Sequence, residues 1–304
     1  MLLAIEQCLN GLQLGVTLFL MSAGLTLTFG IMQVINLAHG SFYMIGAYVA
    51  ATVTIYTGSF LLGLGAALLS AALVGMLVEA LVLQRLYKKE HVDQVLATFG
   101  LIMFFNELTR VVWGRQPLFM DVPSWLSGRI ELIPGIAYPI YRLAVIGVGL
   151  AVALFLYLMF TRTRIGMQIR AGASNREMAG ALGINIRLLY TLVFGLGTLL
   201  AGLAGVMAGP ILAVEAGMGE NILILTFVVI VIGGIGSVRG AFIGALLVGM
   251  VDTLGRAFLP TIFRMFLSSA YADGVAASVA SMSIYILMAL ILIWRPKGLL
   301  PAHA

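Results

Sequence analysis

The chain has 304 residues, of which 62% are hydrophobic and only 10% are charged, and its mean hydropathy is +1.10. This composition excludes a soluble globular fold, because average soluble domains are about 25% charged. It predicts an all-α, polytopic membrane protein in which the lipid bilayer takes the place of a polar surface. The net charge of +5 is better explained by cationic cytoplasmic loops than by nucleic-acid binding, so we expect no nucleic-acid partner.

The first apolar run, residues 9–30, is long enough to cross about 30 Å of hydrocarbon and is expected to be a retained span. A second run begins beside Asn36 and His39 and reaches about Tyr56. Further runs cover residues 60–83, 95–113, 141–160, 188–208, 222–235, 240–259 and 275–294. They predict about 8–10 transmembrane or re-entrant helices, with the N-terminus outside and the C-terminus in the cytoplasm.

The charges of two loops indicate the orientation of the chain. Residues 114–139 are rich in proline and aromatic residues and carry balanced charges, which is typical of an external loop. Residues 161–187 carry many arginines against the single acid Glu177, which predicts a cytoplasmic loop. These arginines are Arg162, Arg164, Arg170, Arg176 and Arg187.

A polar island, Ser174 to Gly183, lies in that cytoplasmic loop. Ser174 and Glu177 have the spacing of a capping box, and Gly183 can end a helix in the left-handed conformation. The predicted helix has about two turns, with Met178 and Leu182 on one face, and so short a helix is marginal by itself. We therefore expect it to pack against another protein.

Two places in the apolar runs each allow two interpretations. Asn36, His39 and Ser41, beside Gly40, offer hydrogen bonds to a substrate in an apolar passage, or else Asn36 and His39 satisfy backbone groups at a helix break. Residues 233–236 interrupt a short apolar run, which is typical of a discontinuous helix near a translocation path or of a tight hairpin. Gly234 and Gly236 are the candidates for the path in that segment.

The remaining polar residues do not indicate chemistry. The single cysteine, Cys8, excludes an internal disulfide, and the three histidines (His39, His91 and His303) are too far apart for helical metal-ligand spacing. No P-loop and no catalytic cluster occur, so we expect no metal, no cofactor and no enzymatic activity. The acids within the spans are expected to be structural, since Glu107 and Asp252 have an arginine three or four residues later and Glu79 lies near a span end.

Several motifs resemble a known family. Residues 177–183, Glu-Met-Ala-Gly-Ala-Leu-Gly, resemble the E-A-A-x-x-x-G coupling loop of ABC importer permeases, with Met178 in place of Ala. Over nearly the whole chain, further blocks are similar to the LivH type of branched-chain amino acid permease. These blocks are Asn36–Gly40 with Gly46–Tyr48, Thr161–Gly166, Leu182–Asn185, Gly202–Val206, Gly233–Ser237 and Arg295–Leu299.

The resemblance implies one transmembrane permease domain over residues 1–304, multi-pass in a bacterial inner membrane. It implies as partners a second, homologous permease, two cytoplasmic ABC ATPases and a periplasmic substrate-binding protein. ATP-driven closure of the ATPases would push the helix at 174–183, with contacts at Met178, Ala179 and Leu182, and drive alternating access. Ala179 and Gly183 would be small so that the ATPase can approach.

The substrate class is open within this family. Relatives of this type carry branched-chain amino acids, and close cousins carry urea, short amides or aromatic acids. Two other classes of function are considered: a stand-alone secondary transporter or channel, which would need no ATPase, and an intramembrane enzyme, which would need a catalytic cluster.

Overall fold

The computed structural model describes residues 2–87 and 89–301, so His303 lies outside the described residues. Seven helices in the described part of the chain are long and apolar enough to cross a membrane, which confirms the polytopic helical fold class. These are Leu2–Met32, Phe60–Leu86, His91–Trp113, Ile140–Arg162, Ile186–Ala208, Val238–Phe263 and Tyr271–Trp294.

Each predicted apolar run coincides with one helix, although the ends differ by a few residues. The helices are α1 (Leu2–Met32), α2 (His39–Thr57), α3 (Phe60–Val78), α4 (Gln84–Leu86), α5 (His91–Trp113), α6 (Ile140–Arg162), α7 (Arg164–Ser174), α8 (Arg176–Ala181), α9 (Ile186–Ala208), α10 (Met218–Gly233), α11 (Val238–Phe263) and α12 (Ser269–Trp294). A π-helical turn, Glu79–Leu83, joins α3 to α4, and a 3₁₀ turn covers Ser124–Leu126.

A small hairpin in the loop at 114–139 was not predicted. Strand β1 (Arg129–Ile133) pairs antiparallel with β2 (Ile136–Pro139). The turn between them is Pro134-Gly135, where Gly135 has a φ of +89°. A Pro-Gly pair is a strong turn signal, so the sequence carried this information.

The chain packs as two compact units, which are described separately. Within the described residues, the first unit contains the segments up to Ser22, from Ser124 to Leu150 and from Thr226 onward. The second contains Ala23–Pro123 and Ala151–Leu225. The single permease domain expected from the sequence stays a prediction.

Helices α2, α3 and α9 form the core of the second unit through close backbone contacts. A Cβ atom added to Gly46 of α2 would lie 2.5 Å from the Cα of Gly202 in α9. One added to Gly205 would lie 2.1 Å from the carbonyl oxygen of Tyr43. Glycine therefore lets these helices pack backbone to backbone, as small residues do in membrane proteins.

Helix α2 begins deep in the second unit. The Nε2 atom of His39, its first residue, lies 3.0 Å from a Cβ placed on Gly24 of α1. Gly24 precedes the end of α1 at Met32 by about two turns, or about 12 Å. A Cβ on Gly40 would lie 2.2 Å from the carbonyl oxygen of Gly219, so the first turns of α2 and α10 contact each other.

In the first unit, the glycine break is a tight turn between α10 and α11. Gly234 and Gly236 have φ values of +105° and +82°, and the Ser237 side chain caps α11 by accepting from the Gly240 amide at 3.1 Å. The C-terminal segment covers this turn, because the Leu300 amide donates to the Gly233 carbonyl at 2.9 Å. This geometry corresponds to the hairpin interpretation of the sequence.

We predict that Gly46→Ala destabilises the protein. The added methyl would overlap the Gly202 backbone, and overpacking of this kind typically costs about 1–3 kcal/mol. The matched control is Gly65→Ala in α3, because a Cβ at Gly65 meets nothing within 4 Å. The measurement is the thermal midpoint for loss of monodisperse protein in mild detergent, and equal midpoints for the two variants would contradict the packing described for α2 and α9.

Candidate functional site

The short helix predicted in the cytoplasmic loop is α8, but its cap is not the predicted one. Ser174 is the last residue of α7, and Asn175 is the N-cap of α8, since its side chain accepts from the Met178 amide at 2.9 Å. The capping-box prediction for Ser174 and Glu177 is therefore wrong. The reason is that α7 continues through Ser174 and the backbone becomes extended only at Asn175, whose amide oxygen caps as well as a serine hydroxyl does.

The predicted left-handed end of α8 at Gly183 is confirmed. Gly183 has a φ of +88°, and its amide donates to the Gly180 carbonyl at 3.0 Å. The Ile184 amide donates to the Ala179 carbonyl at 3.1 Å, which completes a Schellman motif. Both ends of this six-residue helix are thus held by specific hydrogen bonds.

The side chains of α8 divide into an outward and an inward set. Met178 is 59% exposed and Leu182, the C-cap residue, is 77% exposed. Ala179 is only 2% exposed, so its methyl packs inside this chain. The expectation that Ala179 contacts a partner is therefore wrong for its side chain, whereas Met178 and Leu182 are available for such a contact.

A buried carboxylate contacts the first turns of α9. Glu79, in the π-helical turn, is 0% exposed. Its Oε1 accepts from the Tyr87 hydroxyl at 2.5 Å, and its Oε2 accepts from Gln84 Nε2 at 2.9 Å and from the Thr191 hydroxyl at 2.7 Å. Arg187 Nε donates to Gln84 Oε1 at 2.7 Å. We refer to Glu79, Gln84, Tyr87, Arg187 and Thr191 as the Glu79 cluster.

Burial, and then the hydrogen bond to Glu79, raise the pKa of Tyr87 well above its ordinary value, so the phenol remains a donor. Sequence reasoning treated Glu79 only as a charge near a span end. The cluster was not predicted because residues three or four apart are neighbours on an α-helix. The π turn instead places Gln84, five residues after Glu79, beside it.

Asn36 and His39 are enclosed in the second unit, with 1% and 0% of their surfaces exposed. Asn36 Oδ1 accepts from the Ala38 amide at 3.1 Å, directly before α2 begins at His39. Asn36 therefore satisfies a backbone group at the helix break, which is the second of the two interpretations given for it. Neither side chain is accessible to a substrate in this conformation.

A shallow groove, too narrow in this conformation to enclose a water molecule, lies where the first turns of α2 and α10 meet. Its polar lining includes Ser41, Asn106 and Glu220, and Asn106 Nδ2 donates to Glu220 Oε1 at 2.5 Å. Gly40 and Gly219 also line it, and its apolar lining comes from Leu37, Met44, Ile102 and Leu223. Sequence reasoning named Gly40 and Ser41 but missed Asn106 and Glu220, because only tertiary packing brings α5 and α10 to α2.

The remaining candidates are divided between the two units, and the charges predicted to pair are paired. Gly234 and Gly236 belong to the first unit, whereas Asn36, His39, Gly40 and Ser41 belong to the second. The predicted charge pairs are present: Glu107 contacts Arg110, and Asp252 contacts Arg256 at 2.9 Å.

We predict that Asn175→Ala loosens the start of α8 and that Ser174→Ala does not. Loss of an N-cap costs about 1 kcal/mol, so hydrogen exchange of the Met178 amide should become about fivefold faster. Peptide-resolved exchange measured by mass spectrometry tests this. Faster exchange in Ser174→Ala alone would reinstate the capping box.

The chain is similar to a known protein family and to individual permeases. The family described as "Branched-chain amino acid transport system / permease component" matches residues 7–293. The high-affinity branched-chain amino acid transport system permease protein LivH of Escherichia coli is 30% identical, over 97% of this chain and 95% of the relative. The corresponding protein BraD of Pseudomonas aeruginosa is 29% identical over the same shares.

A more distant relative is the ribose import permease protein RbsC of Escherichia coli, which is 27% identical over 77% of this chain and 72% of its own length. No solved structure matches the chain significantly. The family match covers nearly the whole sequence, together with the apolar helices described above. The chain therefore belongs to the branched-chain amino acid transport system permease family.

Proposed function

We propose that this permease is the membrane-spanning subunit of a bacterial ABC importer that moves branched-chain or related amino acids across the inner membrane. The observation that carries this proposal is α8, a short helix with two fixed ends that presents Met178 and Leu182 outward. Exposed apolar side chains on a rigid helix suit a groove on a partner protein. The arginines of the same loop favour its placement in the cytoplasm, where the ATPases would be.

The proposed partners are a second, homologous permease, two cytoplasmic ABC ATPases and a periplasmic substrate-binding protein. When the ATPases close on ATP, they would push α8 as a rigid body. A displacement of α8 would act directly on α9. The Ile184 amide donates to the Ala179 carbonyl of α8, and the Asn185 side chain caps α9 by accepting from the Leu188 amide at 3.0 Å. Motion of α9 would then switch the substrate passage between its opening to the periplasm and its opening to the cytoplasm, as in other rigid-body transitions.

The groove beside Gly40 is the proposed substrate contact within the membrane. Two helices start at it, and the N-terminal end of a helix attracts a carboxylate. Glu220 and Asn106 supply oxygen acceptors for an ammonium group, and the apolar lining suits a branched side chain. The lining of the groove thus offers complementary groups for each part of a zwitterionic, apolar amino acid. The groove would have to widen to admit one, which suits weak, transient binding.

We predict that Leu182→Asp detaches the ATPases while membrane insertion remains normal. An aspartate in an apolar docking groove should reduce ATPase attachment and leucine uptake by about tenfold or more, as loss of a central interface residue does. Co-purification in mild detergent and uptake into proteoliposomes are the measurements.

The control for this prediction is Leu212→Asp, which changes a leucine that is 54% exposed in the loop between α9 and α10. It should retain its ATPases. Equal retention of the ATPases by both variants would contradict the docking role of α8. Full leucine uptake by the wild-type permease without ATPases would favour a stand-alone transporter.

We predict that Glu220→Gln slows leucine translocation about tenfold at saturating binding protein, because a hydrogen bond to a charged group contributes about 1.5–3 kcal/mol. The control is Glu107→Gln, since Glu107 is paired with Arg110 and does not line the groove. Uptake rates of leucine, urea and an aromatic acid should be compared in the complete importer. Equal leucine rates for the two variants would contradict the substrate contact, and urea as the preferred substrate would overturn the amino-acid assignment.

A further inference from the structure

We propose that Glu79 is a positioning residue for transport, which couples the start of α9 to the end of α3 so that a push on α8 moves both helices. This inference rests on the proposed function, because it assigns the route by which the coupling helix acts. It is carried by an uninterrupted series of contacts within the second unit.

The first step joins α8 to α9. The four residues between Ala181 and Ile186 are held at both ends, by the Schellman motif at Gly183 and by the Asn185 cap. A displacement of α8 therefore acts on the first two turns of α9 without a flexible linker between them.

The second step joins α9 to the helix that contains α3. Thr191, in the second turn of α9, donates to the Glu79 carboxylate at 2.7 Å, and Arg187, in the first turn, donates to Gln84 at 2.7 Å. Because Gln84 also donates to Glu79, two successive turns of α9 are bonded to one side of the π turn. These contacts link residues more than a hundred positions apart in sequence.

The third step reaches α1. The Tyr87 hydroxyl that donates to Glu79 also lies 3.6 Å from the Met32 sulfur at the end of α1. The Tyr87 ring packs edge-on against Tyr190, whose hydroxyl donates to the Ile31 carbonyl at 3.3 Å. The C-terminal ends of α1 and α3 and the N-terminal end of α9 therefore meet around one carboxylate.

A carboxylate suits this junction because it accepts several hydrogen bonds at once. Glu79 takes three donors from two different parts of the chain while it is fully buried. A π-helical turn inside an α-helix is frequently a functional feature, and here it brings the carboxylate and Gln84 to the same neighbour. If the cluster only stabilised the fold, its loss would lower stability and all activities in parallel, whereas a transmitting junction would change their ratio.

The test is the complete importer reconstituted in proteoliposomes with its binding protein and labelled leucine. In Glu79→Gln, which keeps the shape but removes the charge and one acceptor, leucine moved per ATP hydrolysed should fall about tenfold, a typical size for coupling between sites. ATP hydrolysis and ATPase attachment should remain near wild type. Thr191→Val should give the same defect, and the double variant should be no worse than either single one, because both changes break the same junction.

The matched control is Thr109→Val. Thr109 is also a buried threonine, but its hydroxyl donates to the Phe105 carbonyl of its own helix at 2.6 Å. It should keep the wild-type ratio of leucine to ATP. An unchanged ratio in both Glu79→Gln and Thr191→Val, or a parallel loss of uptake, hydrolysis and assembly, would overturn the proposal.

A second measurement does not depend on the substrate. ATP binding should change backbone hydrogen exchange both in α8 and at residues 79–87 of the wild-type importer. In Glu79→Gln the change should be confined to α8 and the start of α9, and a change that still reaches residues 79–87 would overturn the proposal. Absence of ATP-driven leucine uptake by the wild type would instead refute the proposed function, while this exchange measurement would still decide the role of Glu79.

Discussion

Direct backbone contact between helices is the constraint on which the second unit depends. Gly46 and Gly205 allow α2 and α9 to approach until only glycine fits between them. This approach surrounds α2 with protein and lets it begin well inside the unit, against Gly24 of α1. The start of α2 beside Asn36 and His39 leaves backbone groups without helical partners. Such groups are tolerated inside the protein, whereas lipid could not satisfy them.

The two proposed roles fall on different parts of the second unit. The groove beside Gly40 lies where two helices begin, and its lining combines the Glu220 carboxylate, the Asn106 amide and apolar side chains. The Glu79 cluster lies at the first two turns of α9, next to α8, where polar side chains hydrogen-bond α9 to the π turn that follows α3. In these proposals, substrate contact falls to α2, α5 and α10, and mechanical coupling falls to the end of α3 and the start of α9.

The polar residues that matter most are those with partners far away in sequence. Glu79 would destabilise the fold if it were buried alone, and its three donors offset part of that cost. The predicted pair Glu107 and Arg110 shows the opposite case, since each neutralises the other within one helix and both are exposed. Sequence spacing predicts a charge pair within one helix, such as Glu107 and Arg110. It gives no information on a buried charge whose partners are distant in sequence, such as Glu79.

The sequence by itself determined the membrane class, the positions of the apolar helices, the left-handed end of α8 at Gly183 and the family, because each depends on composition, local periodicity or short motifs. Tertiary structure alone decided that Asn175 rather than Ser174 caps α8, that Ala179 faces inward, and that Asn106 meets Glu220 beside Gly40. It also decided that Glu79 joins α3 to α9. The physical reason is that hydrogen bonds and burial between distant segments depend on helix packing, which no local pattern encodes.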